Sequence, residues 1–210
     1  MPVNTPRKEY TDVSPIWERL RDTFAGRDAV IKASTKYTPA LPGATYDQQV
    51  SYLTRGNFFN AVARTTHGLI GAIFQKKPTV EITESFKHWL DDITLTNVSF
   101  DMFALDVLHD VMLIGRYGIL IEMAEEGSQP YLVGYRAEDI INWRTERING
   151  DDLLTLVVLR ESVDKQKDDD EFVEEDIEQY RVLQLDVNGD TRIYSQQRWR
   201  KEEGDADFKL

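Results

Sequence analysis

A chain of 210 residues that is 41% hydrophobic and 10% aromatic can bury a core of its own, roughly 70% of its unfolded surface at this size. Its formal net charge of −12 argues against a surface built to grip nucleic acid, because phosphate contacts need clustered Lys and Arg. The absence of cysteine excludes disulfides, thiolate metal sites and cysteine nucleophiles; no stretch resembles a signal peptide or reaches the ~20 apolar residues of a membrane span, so a soluble, non-secreted protein is expected.

Ser14 and Pro15 read as an N-cap and first-turn pair, with Ile16, Trp17, Leu20 and Phe24 at helical spacing until Gly26 closes the element. A proline-punctuated loop, "YTPALPGATY", leads into a long helix from about Tyr46 to Phe74, bent near Gly56 and ended by Pro78. "ESFKHWLDDI" reads as a short helix. The run from about Val98 to Ile114 carries Phe100, Phe103, Leu105, Val107, Leu108, Val111 and Met112 around most of its circumference, the pattern of a buried helix. Gly115 then serves as a left-handed C-terminal cap. Gly118 lets the backbone pass close to another element before "ILIEM" continues as a core strand.

After Pro130 the period changes to that of strands: "YLVGY", "IINWRTERI" and "LLTLVVLRESV", with a hairpin turn at Asn149-Gly150. A second hairpin pairs "IEQYRVLQLDV" with "TRIYSQQRWR" around Asn188-Gly189, and the intervening "DKQKDDDEFVEED" reads as a charged, mobile loop. The expected fold is therefore α+β, a helical N-terminal half packed on antiparallel β-hairpins. Residues 1–45 form an N-terminal helix and extended arm, 46–125 a helical portion and 126–210 an antiparallel β portion.

No constellation of catalytic or metal-ligating residues emerges. "DVNGD" places Asp186, Asn188 and Asp190 at alternate positions as a calcium loop does, but Thr191 and Gln197 stand where that loop needs glycine and an acidic residue. The acidic run Asp168 to Asp176 lacks the rigid frame that a carboxylate-based nuclease or hydrolase requires. His67, His88 and His109 lie far apart on separate helical segments, without HExxH spacing. Gly115 and Gly118 flank Arg116 and Tyr117 after a helix and before a strand, the reverse of a phosphate-binding turn. Trp89, Trp143, Trp199, Tyr131 and Tyr135 read as core or interface packing, since no basic patch accompanies them. No catalytic, cofactor-binding or metal residue is assigned, and an interaction protein is expected before an enzyme.

"YLTRGNFFNAVARTTHGLIGAIFQKKPTVE", Tyr52 to Glu81, resembles the N-terminal stretch of tailed-bacteriophage portal proteins. "FDMFALDVLHDVMLIGRYGILIEM", "PYLVGYRAEDIINWR", "LLTLVVLRE" and "EQYRVLQLD" then follow in the order found in that family, so the resemblance spans about Tyr46 to Arg200. It implies one wing-like domain, with the stem and clip regions of a portal subunit absent from this chain. It also implies a structural role in a dodecameric ring at one capsid vertex. The implied partners are further copies of the chain, the major capsid protein, terminase and a head-tail adaptor, with DNA passing through without tight or specific binding. No membrane or cofactor is involved, and the implied location is the virion, with the host cytoplasm during assembly. A carboxylate-based hydrolase or nuclease and a generic head-tail adaptor are the alternatives.

Overall fold

The computed structural model describes residues 2–123, 129–167, 170–188, 191–201 and 207–210. The fold is α+β, and the chain divides into two compact units. One comprises Met1–Ser14, Gly118–Leu120 and Gly134–Leu210, the other Pro15–Tyr117 and Ile121–Val133.

The first unit is built on a four-stranded antiparallel meander, in the order β3 (Ile140–Ile148), β4 (Asp151–Lys167), β5 (Asp170–Asn188) and β6 (Thr191–Arg200). Asn149 and Gly150 turn β3 into β4 with φ of 54° and 93°, the doubly positive geometry of a two-residue hairpin, and Ile148 stands opposite Asp151. The β5–β6 ladder runs up to Asn188 opposite Thr191; the expected turn residue Gly189 lies outside the described residues. Register sets the core. Leu156 and Val158 share a face with Val182 and Tyr180, and Ile141, Val158 and Tyr180 form a buried cluster against which Val3, Tyr10, Trp199 and Phe208 pack. The N-terminal segment is tied down over β3: Arg7 N donates to Ile141 O at 2.9 Å, and its Nη1 donates to Trp143 O at 2.8 Å.

The segment expected to be a mobile loop departs from that reading. β4 continues to Lys167 and β5 begins at Asp170, with Val163 opposite Ile177 and Lys165 opposite Glu175. Hydrophilicity suggested a loop, but a ladder is made by backbone groups, and an apolar pair such as Val163 and Ile177 suits a cross-strand position. β3 reaches only Leu159 of β4, and β6 only Gln179 of β5. Among the described residues, Ser162–Lys167 and Asp170–Glu178 are therefore strand-paired only with each other, as a two-stranded ribbon running past the sheet.

The first helix, α1 (Lys8–Ala25), begins in the first unit, starts before the expected Ser14 cap and carries Pro15 in its interior, where the second unit begins. Proline removes the donor to Thr11 O, and Ser14 Oγ donates to that carbonyl instead, at 3.4 Å. A short helix, α2 (Arg27–Ala33), follows Gly26. The single bent helix expected from Tyr46 to Phe74 is two helices, α3 (Tyr46–Arg55) and α4 (Ala61–Ile73). Asn60 makes the break: its side chain caps α4 by accepting from Ala63 N at 2.9 Å, while its Nδ2 donates to Phe24 O at 2.9 Å. Glu84–Leu90 is a 3₁₀ turn.

The helix α5 (Phe100–Ile114) ends as expected, with Gly115 at φ 85° and its N–H on Val111 O. It is less enclosed than its composition suggested. Phe103, Asp110 and Leu113 are buried, whereas Met102 is 54% exposed and Val111 40%. The strand β1 (Tyr117–Met123), paired with β2 (Pro130–Arg136), is likewise open on one side. Its alternate residues Ile119, Ile121 and Met123 are exposed, because period-2 alternation gives this apolar run two apolar faces.

Candidate functional site

Phe24, His67 and His109, far apart in sequence, come together in the second unit. The Phe24 ring meets the His109 ring edge-on at 4.7 Å and the His67 ring at 5.2 Å, and the two imidazole centroids are 6.0 Å apart. Beside them Arg21 grips Asp110 with two bonds of 2.6 and 3.1 Å. Asp110 is buried, so this is an ion pair held largely out of water, and the His109 Nδ1 lies 4.0 Å from the same carboxylate. The expectation of separated histidines is thus corrected for this pair: packing of α4 on α5 joins what sequence distance divides. The arrangement is a tether between helices. His88 stands apart, exposed on its 3₁₀ turn.

The other polar centre lies on the sheet face opposite the Ile141 cluster. Glu161 accepts from Tyr135 Oη at 2.5 Å and also from Gln179 Nε2, and Arg181 Nε lies 2.7 Å away. Gln179 in turn accepts from Arg200 Nε. Gln179 and Arg181 are nearly fully buried, so the Glu161 charge is matched in place by a cation and neutral donors. At the strand's far side Arg160 donates to Glu138 O at 3.2 Å and to Asp139 Oδ1 at 3.3 Å. Burial holds the Asp139 carboxyl above its ordinary range, against the pull of Arg160. Burial, followed by the hydrogen bond to Glu178, likewise pushes the Tyr180 phenol up. Arg181 Nε, though 2.7 Å from Glu161, is buried without a well-directed hydrogen bond.

Among the described residues no three His, Asp or Glu side chains come within shared metal-ligating reach. Asp186 accepts from Gln184 Nε2 at 3.0 Å; the Asn188 side chain and Asp190, its companions in the calcium-like stretch, lie outside the described residues, as do Asp168 and Asp169 of the acidic run. Arg116 and Tyr117 are half-buried where α5 gives way to β1. The aromatics expected in packing roles make definite contacts. Trp89 Nε1 donates to Pro130 O at 2.6 Å, Trp143 lies under the Arg7 guanidinium at 4.8 Å, and Tyr135 is buried. Among the described residues no helix is long and apolar enough to cross a membrane.

Two surfaces escaped the sequence reading. α3 turns Gln49 and the half-buried Leu53 inward and leaves apolar side chains out: Tyr46, Val50 and Tyr52 are 82%, 39% and 50% exposed, while Gln49 is buried with only its Oε1 bonded, to Leu41 N at 3.2 Å. Phe59, Leu69, Ile73 and Phe86 add further exposed apolar side chains in the same unit. The second surface is on β6. Arg192, Arg198 and Arg200 occupy alternate positions, which places them on one face of an edge strand. All three are exposed. The spacing was readable in "TRIYSQQRWR", but the overall negative charge masked a local basic stripe.

No protein-family model matches the chain. A search of the curated proteins finds no matching sequence either.

Proposed function

We propose that the chain is a structural subunit of a bacteriophage portal, a ring at one capsid vertex built from copies of itself, with terminase, capsid and head-tail adaptor proteins as its other partners. The observation that supports assembly most strongly is the set of exposed apolar side chains on α3. A surface helix of a lone subunit turns its apolar residues inward, yet on α3 only Leu53 is half-buried beside the buried Gln49, and Tyr46, Val50 and Tyr52 are exposed. Such a helix is stabilised when another surface covers it. The order of the resembling segments, over about Tyr46 to Arg200, favours a portal as that assembly. The negative balance of the chain fits a channel through which DNA slides, since each Lys or Arg on phosphate would add friction through counterion release. Sedimentation velocity tests the assembly: the native chain forms a closed oligomer of discrete size, and Tyr46→Ser with Tyr52→Ser reduces it to monomer while circular dichroism is unchanged. An unchanged oligomer in that variant, or a native monomer at tens of micromolar, counts against the reading.

A further inference from the structure

Within the first unit a trough of ≈ 660 Å³ crosses the face of the four-stranded sheet that carries the Ile141 cluster. Its floor is one cross-strand row: Asn142 stands opposite Val158, Val158 opposite Val182, and Val182 opposite Gln197. A carboxamide therefore sits at each rim and two valines lie between. The N-terminal segment walls the β3 side through Val3 and Thr5, and Phe208, next to the Arg200–Lys209 bridge, walls the β6 side with Trp199. The volume lies within the roughly 300–1,000 Å³ of small-molecule sites.

The lining fixes the chemistry of an occupant. Each carboxamide is half used by the chain: Asn142 Nδ2 donates to Thr5 O at 3.0 Å, and Gln197 Oε1 accepts from Trp199 Nε1 at 3.3 Å. Those bonds set the amide orientations and leave the Asn142 Oδ1 acceptor and the Gln197 Nε2 donor without a protein partner among the described residues. An anion is disfavoured, because among the described residues no Lys or Arg lines the trough and Asp207 does. One carboxylate is too few for a divalent cation. A wholly apolar molecule would cover both amide groups and leave them unpaired, a cost that a buried donor or acceptor carries in full.

We infer that the trough binds a short neutral oligosaccharide. A sugar ring lays its C–H face on aromatic surface such as Trp199 and Phe208, and its hydroxyls both donate and accept, which suits one open acceptor and one open donor. The two amides are three strand spacings apart, roughly 14 Å, so a single ring reaches one rim and a trisaccharide reaches both. The site is independent of the ring reading.

Isothermal titration calorimetry of the full chain with maltotriose, cellotriose and triacetylchitotriose tests it. At least one trisaccharide binds saturably with a Kd in the millimolar range or tighter, and its own monosaccharide binds at least about tenfold more weakly. Gln197→Glu keeps the acceptor for Trp199 and removes only the open donor; it weakens binding about tenfold with an unchanged melting temperature, since Gln197 is exposed. Val182→Phe fills the floor and abolishes binding, and should that variant fold poorly, Gln197→Glu decides alone. No heat of binding from any of the three at about 20 mM overturns the inference, as does binding that Gln197→Glu leaves untouched. Binding of tetramethylammonium in place of the trisaccharides overturns it too, and reassigns Trp199, Phe208 and Asp207 to an organic cation.

Discussion

Replacing Gly118 by alanine isolates one atomic clash. A Cβ at that position would lie 2.8 Å from Ile140 Cδ1, 3.7 Å from Ile140 Cγ1 and 3.5 Å from Tyr135 Cβ. Carbon atoms pack best near 3.5–4.0 Å, so only the first contact is repulsive, and Cδ1 must retreat by about 1 Å. Ile140 is 7% exposed and sits opposite Leu159, which is 3% exposed, so the retreat displaces packed neighbours. Overpacking of this kind costs on the order of 1–3 kcal/mol. Ile140→Val removes the offending Cδ1 and alone costs about 0.5–1.5 kcal/mol for the lost methyl group. The double variant Gly118→Ala with Ile140→Val is then predicted to be more stable than the sum of the two costs by about 1 kcal/mol. Urea unfolding followed by tryptophan fluorescence supplies all four corners of the cycle. Strict additivity would show that Gly118 is not pressed against Ile140.

Other substitutions separate other causes. Gly115 has φ 85° with no atom within 4 Å of an added Cβ, so Gly115→Val is predicted to cost about 1–2 kcal/mol through backbone strain alone, and no second-site change of a neighbouring side chain will rescue its melting temperature. Arg21→Ala leaves the Asp110 carboxylate buried without its bidentate partner. A loss of about 3 kcal/mol is expected, the low end for a buried pair because Arg21 is itself 25% exposed, and a thermal melt indistinguishable from the native chain would refute the tether. Asp139 has a folded pKa raised above 3.8, so its favourable contribution is complete below that value and is lost as pH rises through the folded pKa. Asp139→Asn, neutral throughout, should therefore gain stability relative to the native chain as pH rises from about 4 to 7. A melting-temperature difference that stays flat over that range contradicts the burial argument.

What could be read from sequence follows the range of the interactions involved. Asn149-Gly150 and Gly115 are governed by their own backbone conformations, and both turned as their residue types require. Gly118 was legible as a close approach, though not which side chain it meets. The Phe24–His67–His109 cluster was not legible, since three segments must fold before those rings are neighbours. Pro15 misled because a proline usually starts a helix, and the donor that lets it sit inside α1 is a weak hydroxyl bond one residue away. The charged stretch from Asp164 to Asp176 misled in another way, since charge speaks to solvent exposure and a two-stranded ribbon is exposed on both faces. Nor was the inward side of α3 legible, since it is a glutamine, Gln49, that is buried there beside half-buried Leu53.

The proposed ring at a capsid vertex is tested most directly by electron microscopy of particles from the source of this chain, with the chain carrying a gold label at one terminus. The account predicts label at a single vertex per particle, with end-on averages showing a closed ring of repeated subunits. Label spread over all vertices, or absent from the particles altogether, would contradict it.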